Sequence, residues 1–195
     1  SIGVFNRIAD CVGERVLYHL TAVGDSAGIA AELERLAQDW IDEGRSVTLI
    51  DWLGQLPPEA LLARAPLLIA RGDAERLLAR FEPALAAYAA AEQRYAALGD
   101  PIGQSRALKG QAQIYLDTVR PAPATALLRR AYRLLPPDQL GPRVAVLRRV
   151  AENRLNAGRA DQASRLYRLA ERLSGAPQSD ARVLLRLGQL NEARE

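Results

Sequence analysis

The stretch RALKGQAQIYLDTVRPAPATALLRRAYRLLP, residues 106–136, decides the fold class of this chain. Within it, Leu108 lies four residues before Ala112, and Ala124, Leu128 and Ala131 follow at steps of twelve, four and three. Steps of three, four and seven residues place side chains on one face of a helix. A small residue where two helices cross lets them approach closely, and a larger residue one turn away fills the groove. The stretch therefore predicts two packed helices.

The same spacing recurs along the sequence. Small residues in the first position lie 35, 40, 39 and 30 residues apart, at Ala37, Gly72, Ala112, Ala151 and Ala181. A small, large and small residue follow the middle three at the same offsets: Ala84, Tyr88 and Ala91; Ala124, Leu128 and Ala131; Ala163, Tyr167 and Ala170. Such internal repeats indicate stacked helix pairs.

Glycines mark the expected helix ends. Gly44, Gly158 and Gly188 each follow a small first-position residue by seven residues. Glycine is favoured there because a helix commonly ends on a residue in the left-handed conformation. The equivalent places in the other two repeats hold Ala79 and Val119.

This pattern resembles the tetratricopeptide repeat, and Pro136, twelve residues after Ala124, matches the closing proline of that family. The resemblance implies an all-α chain, an α-α superhelix built as a TPR-like solenoid of helix pairs. We expect one domain over residues 1–195, with a lead-in helix in 1–25 and degenerate repeats over 26–195 that continue beyond residue 195 in the full protein.

The coarse pattern predicts no strand and places helices between glycine and proline breaks. Ser26 is expected to cap the second helix, and residues 59–63 are expected to add a turn. The predicted helices are 14–23, 26–44, 47–56, 66–79, 82–98, 102–117, 123–135, 138–157, 160–174 and 179–187, with a last one from 190.

Composition restricts the class of protein. Apolar residues make up 49% and charged residues 25% of the chain, as in ordinary soluble globular proteins. No stretch approaches the roughly 20 apolar residues of a membrane span. The single cysteine, Cys11, rules out an internal disulfide and favours a reducing, cytoplasmic setting.

The charge is unevenly distributed. Residues 1–100 carry 9 basic and 15 acidic residues, a net −6, whereas residues 101–195 carry 17 and 8, a net +9. A basic half can indicate an anionic partner. The arginines lie on helices without interleaved aromatics, as in the run from Leu127 to Arg130. This favours a solvated face or an acidic neighbouring domain, and we expect no direct nucleic-acid binding.

One segment is similar to a narrower family. It contains YHLTAVGD at 18–25, WIDEGR at 40–45, LIDWLGQLPPE at 49–59 and ARAPLL at 63–68. These runs resemble the start of the helical-repeat sensor region in large ATP-dependent LuxR-type bacterial transcriptional activators, the maltose-activator-like members of the STAND class. The resemblance implies a repeat region that senses an inducer, with an NTPase module and a DNA-binding domain elsewhere.

The chain departs from that family in lacking its NTPase motif. A phosphate loop needs G-x-x-x-x-G-K-[ST], whose lysine reaches the phosphates. The one lysine, Lys109, has no such glycines before it. No segment matches a helix-turn-helix recognition unit, so the resemblance covers the sensor segment alone.

The sequence offers no catalytic site, metal site or cofactor motif, and we predict that the chain is not an enzyme. His19 is the one histidine, and one histidine with one cysteine is too few for a zinc site. We interpret it as a packing or hydrogen-bonding residue. The carboxylates of Asp42 and Glu43 lie at a helix end, and Trp40 and Trp52 fall on apolar stripes that favour the core.

The resemblance to the tetratricopeptide repeat implies that the first helix of each pair lines a concave binding face. The register then gives a candidate site of polar residues: Asp73, Arg76, Arg106, Lys109, Gln113, Asp117, Arg148, Glu152 and Asn156. Arginine forks in this set can bind a carboxylate or an array of sugar hydroxyls. The alternative is a solvated face with helical ion pairs such as Arg148 with Glu152.

Two functions follow as hypotheses. The first is a non-catalytic sensor segment of a transcriptional activator, which binds a small-molecule inducer or a regulatory protein and contacts other domains of the same regulator. The second is a generic scaffold that binds a protein or peptide outside transcription. Neither hypothesis involves a membrane.

Overall fold

In the computed structural model of the chain, residues 13–174 are described, and their secondary structure is helical, with no strand in that range. This confirms the all-α prediction. Residues 13–22 form α1. The remaining helices are α2 (Ser26–Asp42), α3 (Ser46–Leu53), α4 (Pro58–Leu62), α5 (Ala65–Leu77), α6 (Phe81–Ala97), α7 (Pro101–Asp117), α8 (Pro121–Leu134), α9 (Leu140–Asn156) and α10 (Ala160–Ser174).

The chain divides into two compact units within α6, unit 1 up to Arg94 and unit 2 from Tyr95. In unit 1, α2 packs on α3, α4 and α5. In unit 2, α7 packs on α8, α9 packs on α10, and α9 also contacts both α7 and α8. Adjacent helices thus pair as expected for the α-α superhelix class. The single domain over residues 1–195 stays a prediction.

Six helix ends share one geometry. A residue with positive φ ends each helix, at Gly24, Gly44, Ala79, Gly99, Val119 and Gly158. The amide of the next residue donates to the carbonyl five residues back, as from Arg45 to Trp40 and from Arg120 to Tyr115, both at 2.7 Å. This is the Schellman motif. The predicted stops at Gly44 and Gly158 are confirmed, and Ala79 and Val119 adopt the same conformation without being glycine.

The repeat register is confirmed by burial. Ala112 and Ala151 are fully buried, and the small–large–small series of the second helices is buried at every position. Gly72 shows why the first position must be small. A Cβ placed there would lie 2.6 Å from Cε1 of Tyr88, so only glycine leaves room for the ring. Both tryptophans lie in the core, Trp40 fully buried and Trp52 almost so.

Several local predictions need correction. Asp25, not Ser26, caps α2, because its carboxylate accepts from the amide of Gly28 at 2.9 Å. The turn expected over residues 59–63 is the short helix α4, which begins at Pro58. The side chain of His19 is exposed, so the packing role proposed for it is wrong. Cys11, Ala181, Gly188 and the two helices expected after residue 178 lie outside the described residues.

Candidate functional site

The four predicted site residues of α7 share one face of that helix. Arg106, Lys109, Gln113 and Asp117 are spaced by three, four and four residues, which puts them on a single stripe. Arg106 and Asp117 are exposed, and the other two are half-buried. The amide of Gln113 donates to the carboxylate of Asp117 at 2.7 Å, so this end of the stripe is internally ordered.

The three predicted residues of α9 form a second stripe beside the first. Arg148, Glu152 and Asn156 are four residues apart, and α9 packs on α7. Asn156 donates to the backbone carbonyl of Leu116 at 3.4 Å, which ties the end of one stripe to the other helix. Glu152 pairs with Arg149 at 2.7 Å. Unit 2 therefore brings seven of the nine predicted residues onto two neighbouring helices.

The two predicted residues in unit 1 are Asp73 and Arg76, and both lie on α5. The hydroxyl of Tyr88 donates to the carboxylate of Asp73 at 2.6 Å, which links α6 to α5. Burial of the phenol raises the pKa of Tyr88, and the negative charge of Asp73 raises it further, while Arg76 opposes the rise. Asp73 is thus engaged in holding two helices together.

A cavity that the register did not point to lies between α8 and α9. Its volume is about 270 Å³, and its lining residues are Thr125, Leu128, Arg129, Tyr132, Arg133, Leu147, Val150, Asn153 and Arg154. Three of them are arginines, and none is acidic. The run from Leu127 to Arg130, interpreted above as a solvated face, contributes two of these residues. The sequence signal that points to the cavity is the spacing of Arg129 and Arg133, four residues apart on α8.

Unit 1 has a cavity of different character. It measures about 490 Å³ and is apolar except for Arg71, with a lining of Leu53, Gly54, Leu56, Pro58, Leu61, Leu62, Leu68, Arg71, Pro83, Ala86, Ala87 and Ala90. Leucine, alanine and proline provide apolar contact and no fixed hydrogen-bonding group. Such a lining offers shape without the polar groups that orient a small ligand.

Over residues 13–174, no group of three or more histidine, cysteine, aspartate or glutamate side chains is placed to hold a metal ion. Within the same range, no helix combines the length and apolar character needed to cross a bilayer.

Similarity to known proteins lies in the fold. No protein-family model and no curated protein matches the sequence. The crystal structure of BtubC (BKLC) from P. vanneervenii matches with a TM-score of 0.70 and 14% identity, over 94% of this chain and 82% of that chain. The crystal structure of MamA protein matches with a TM-score of 0.59 and 13% identity, over 88% and 96% respectively. The chain thus has a TPR-like helical-repeat fold.

Proposed function

We propose that the chain is a non-catalytic protein-interaction module that binds its partner through the polar stripes of α7 and α9. The observation that carries the proposal is the packing of α9 on α7, because the two stripes belong to these neighbouring helices. Helical-repeat scaffolds present extended surfaces of this kind to partners. The chemistry of the site, rather than the fold, must identify the partner.

The stripes favour a peptide that carries acidic side chains. Arg106, Lys109 and Arg148 contribute three cationic side chains to the stripes. Asp117 and Glu152 contribute two carboxylates, which bind Gln113 and Arg149 on their own helices. Arginine recognises carboxylates through two parallel hydrogen bonds, which gives geometric specificity. The surrounding half of the chain, with its net +9, would attract such a peptide at long range.

The non-catalytic part of the proposal rests on the helical-repeat fold, which usually serves as a binding scaffold. His19, the one histidine of the chain, is exposed. General acid–base catalysis needs a group held within hydrogen-bond reach of substrate in a cleft. The stripes carry arginine, lysine, amide and carboxylate groups, which can bind charged and polar groups of a partner.

Selection from a random peptide library displayed on phage would test the interaction surface. Peptides recovered on the purified chain are expected to be rich in aspartate or glutamate. Fluorescence polarisation should then show that the double variant Arg106→Ala/Arg148→Ala weakens them by at least about tenfold, the loss expected for two charged hydrogen bonds. The matched control is Arg165→Ala/Arg168→Ala, which removes two exposed arginines from α10. Equal weakening by both pairs would contradict the site.

The segment from residue 18 to residue 68 favours a second candidate, the sensor region of a cytoplasmic bacterial transcriptional activator. In that case binding of an inducer would shift the chain between inactive and active arrangements, through its different affinity for the two. Thermal-shift screening of sugars and metabolites would find the inducer. A gene whose flanking sequence encodes neither a phosphate loop nor a DNA-binding helix pair would contradict this candidate.

A further inference from the structure

The cavity between α8 and α9 combines positive charge with an apolar surface. Arg129 and Arg133 are one helical turn apart on α8, and Arg154 joins them from α9. We propose that this cavity is a binding site for a small organic anion, with its oxyanion held by the arginines and its apolar body between the helices. The site uses different residues from the α7–α9 stripes, so the proposal goes beyond the protein-binding function.

The three arginines lack a counterion in the described structure. None of the cavity-lining residues that the structure describes is acidic, and the side chains of Arg129, Arg133 and Arg154 form no ion pair or hydrogen bond within residues 13–174. Like charges that face one space repel each other, and an anion bound among them removes that cost. The planar guanidinium fork matches a carboxylate or phosphate with two parallel hydrogen bonds.

Two other arginines of α9, Arg143 and Arg149, have partners. Arg143 donates to the hydroxyl of Tyr132 at 2.7 Å and to the carbonyl of Leu135 at 3.1 Å, and its guanidinium lies 4.3 Å from the ring centroid of that tyrosine. Arg149 pairs with Glu152. Arg133 and Arg154 lie in the last turns of α8 and α9, where the helix dipole favours a cation. That interaction explains two of the three arginines and leaves Arg129.

The wall of the cavity adds a polar group that also lacks a partner. Asn153 is 2% exposed, and its amide nitrogen donates to the carbonyl of Pro121 at 3.1 Å and to the hydroxyl of Thr125 at 2.8 Å. These two bonds fix the orientation of the amide, and its Oδ1 is left buried without a hydrogen bond. Buried acceptors are rarely left unpaired. A ligand that carries a hydroxyl or N–H donor in addition to its anionic group would satisfy this oxygen.

The apolar part of the lining limits the body of the ligand. Leu128, Leu147 and Val150 face the cavity from both helices, and the ring of Tyr132 adds an aromatic surface. The volume of about 270 Å³ lies near the lower end for small-molecule sites, which typically measure about 300–1,000 Å³. The expected ligand is therefore compact, such as a single ring or a branched chain with one oxyanion and one donor.

Isothermal titration calorimetry on the full chain would test this site with defined probes. 4-Hydroxybenzoate and phenyl phosphate present an anion on a compact ring, and 4-hydroxybenzyl alcohol is the uncharged comparator. At least one of the anions is expected to bind with a Kd below about 1 mM, and the alcohol at least about tenfold more weakly. Benzoate, which lacks the donor, should bind more weakly than 4-hydroxybenzoate by about fivefold or more.

The location of binding is tested by two double variants that remove the same charge. Arg129→Gln/Arg133→Gln should reduce the affinity for the bound anion by at least about tenfold. Arg165→Gln/Arg168→Gln, on α10, removes two exposed arginines that do not line the cavity and should leave the affinity within about twofold. Far-UV circular dichroism of both variants is the check that they fold.

Three outcomes would overturn the proposal. The first is no binding by either anion up to about 10 mM. The second is an equal loss in both double variants, which would indicate attraction by net charge alone. The third is binding of acidic peptides but not of the free anions to this cavity, which would make it part of a protein interface. Failure here leaves the phage-display test of α7 and α9 unaffected, because that test uses other residues.

Discussion

Val119 ends α7 in a backbone conformation that suits glycine. Its φ is 53°, and 64% of its side chain is exposed, so the valine gains little from packing. The equivalent helix ends at Gly44 and Gly158 hold glycine at φ 77° and 71°. The hydrogen bonds are the same at all three ends, which isolates the side chain as the variable. We therefore expect Val119→Gly to stabilise the protein.

The magnitude follows from two opposing terms. A residue with a Cβ loses about 1–2 kcal/mol in the left-handed region, and a β-branched residue is the least tolerant of it. Glycine raises the conformational entropy of the unfolded chain, which costs about 0.5–1 kcal/mol. The difference leaves a gain of about 0.5–1 kcal/mol in the free energy of unfolding. For a chain of this size, that corresponds to a rise in Tm of about 1–4 °C.

The assay is thermal and urea unfolding followed by far-UV circular dichroism. Both tryptophans of the chain, Trp40 and Trp52, are in unit 1, so their fluorescence follows that unit separately. Two controls separate backbone strain from other effects of glycine. Ala126→Gly, at an exposed position within α8, should destabilise the protein by about 1 kcal/mol.

The second control is the reverse change. A Cβ added at Gly158 would meet no atom within 4 Å, so by the same two backbone terms Gly158→Val should lose about 0.5–1 kcal/mol. The reasoning is refuted if Val119→Gly lowers the Tm, or if Gly158→Val has no effect. Either result would mean that the Schellman ends in unit 2 tolerate a branched side chain without strain.

Three further predictions, one of them with a control variant, concern the helix contacts. Gly72→Ala should lower the free energy of unfolding in a urea titration by about 1–3 kcal/mol, because its Cβ would press on the ring of Tyr88. The control is Gly141→Ala, where a Cβ meets no neighbour, and it should be neutral or stabilising. Because its pKa is raised in the folded state, Tyr88 contributes stability that is present below about pH 10 and is lost as the pH rises above it. Tyr88→Phe should therefore flatten the alkaline loss of stability in Tm measurements. At pH 7 the same variant should cost about 1 kcal/mol, because it loses the hydrogen bond to Asp73. Asn153→Ala removes two hydrogen bonds to α8 and should cost about 2 kcal/mol, and an unchanged urea midpoint would show that these bonds contribute nothing.

The fold was predictable because its main rule is periodic. Helix pairs that pack closely need a small residue at each crossing, and that need appears in the sequence as a fixed spacing. Ala112, Ala124 and Ala151 follow the spacing, and each is fully buried. The rule even identifies Val119 as a helix end, although valine is a poor residue for that place. Periodicity thus reports position along the helix irrespective of local propensity.

Local details were less predictable because several residues compete for one role. Asp25 and Ser26 are both good N-caps, and only the position of the helix start decides between them. The three-dimensional arrangement places the first turn so that the aspartate accepts from Gly28. Pro57 and Pro58 both suggest a break, yet proline at the first helical turn also starts a helix, as it does for α4.

The candidate site shows a different limit of sequence reasoning. The register selects residues by their place on the first helix of each pair, so it finds Arg106 and Arg148 on α7 and α9. The arginines of the α8–α9 cavity escape it because they combine the second helix of one pair with the first helix of the next. Their grouping depends on how far apart α8 and α9 lie, and Leu128 and Leu147 line the space between the two helices. A run of arginines on one helix is ambiguous until its neighbour is placed, and here the neighbour contributes a third arginine instead of a carboxylate.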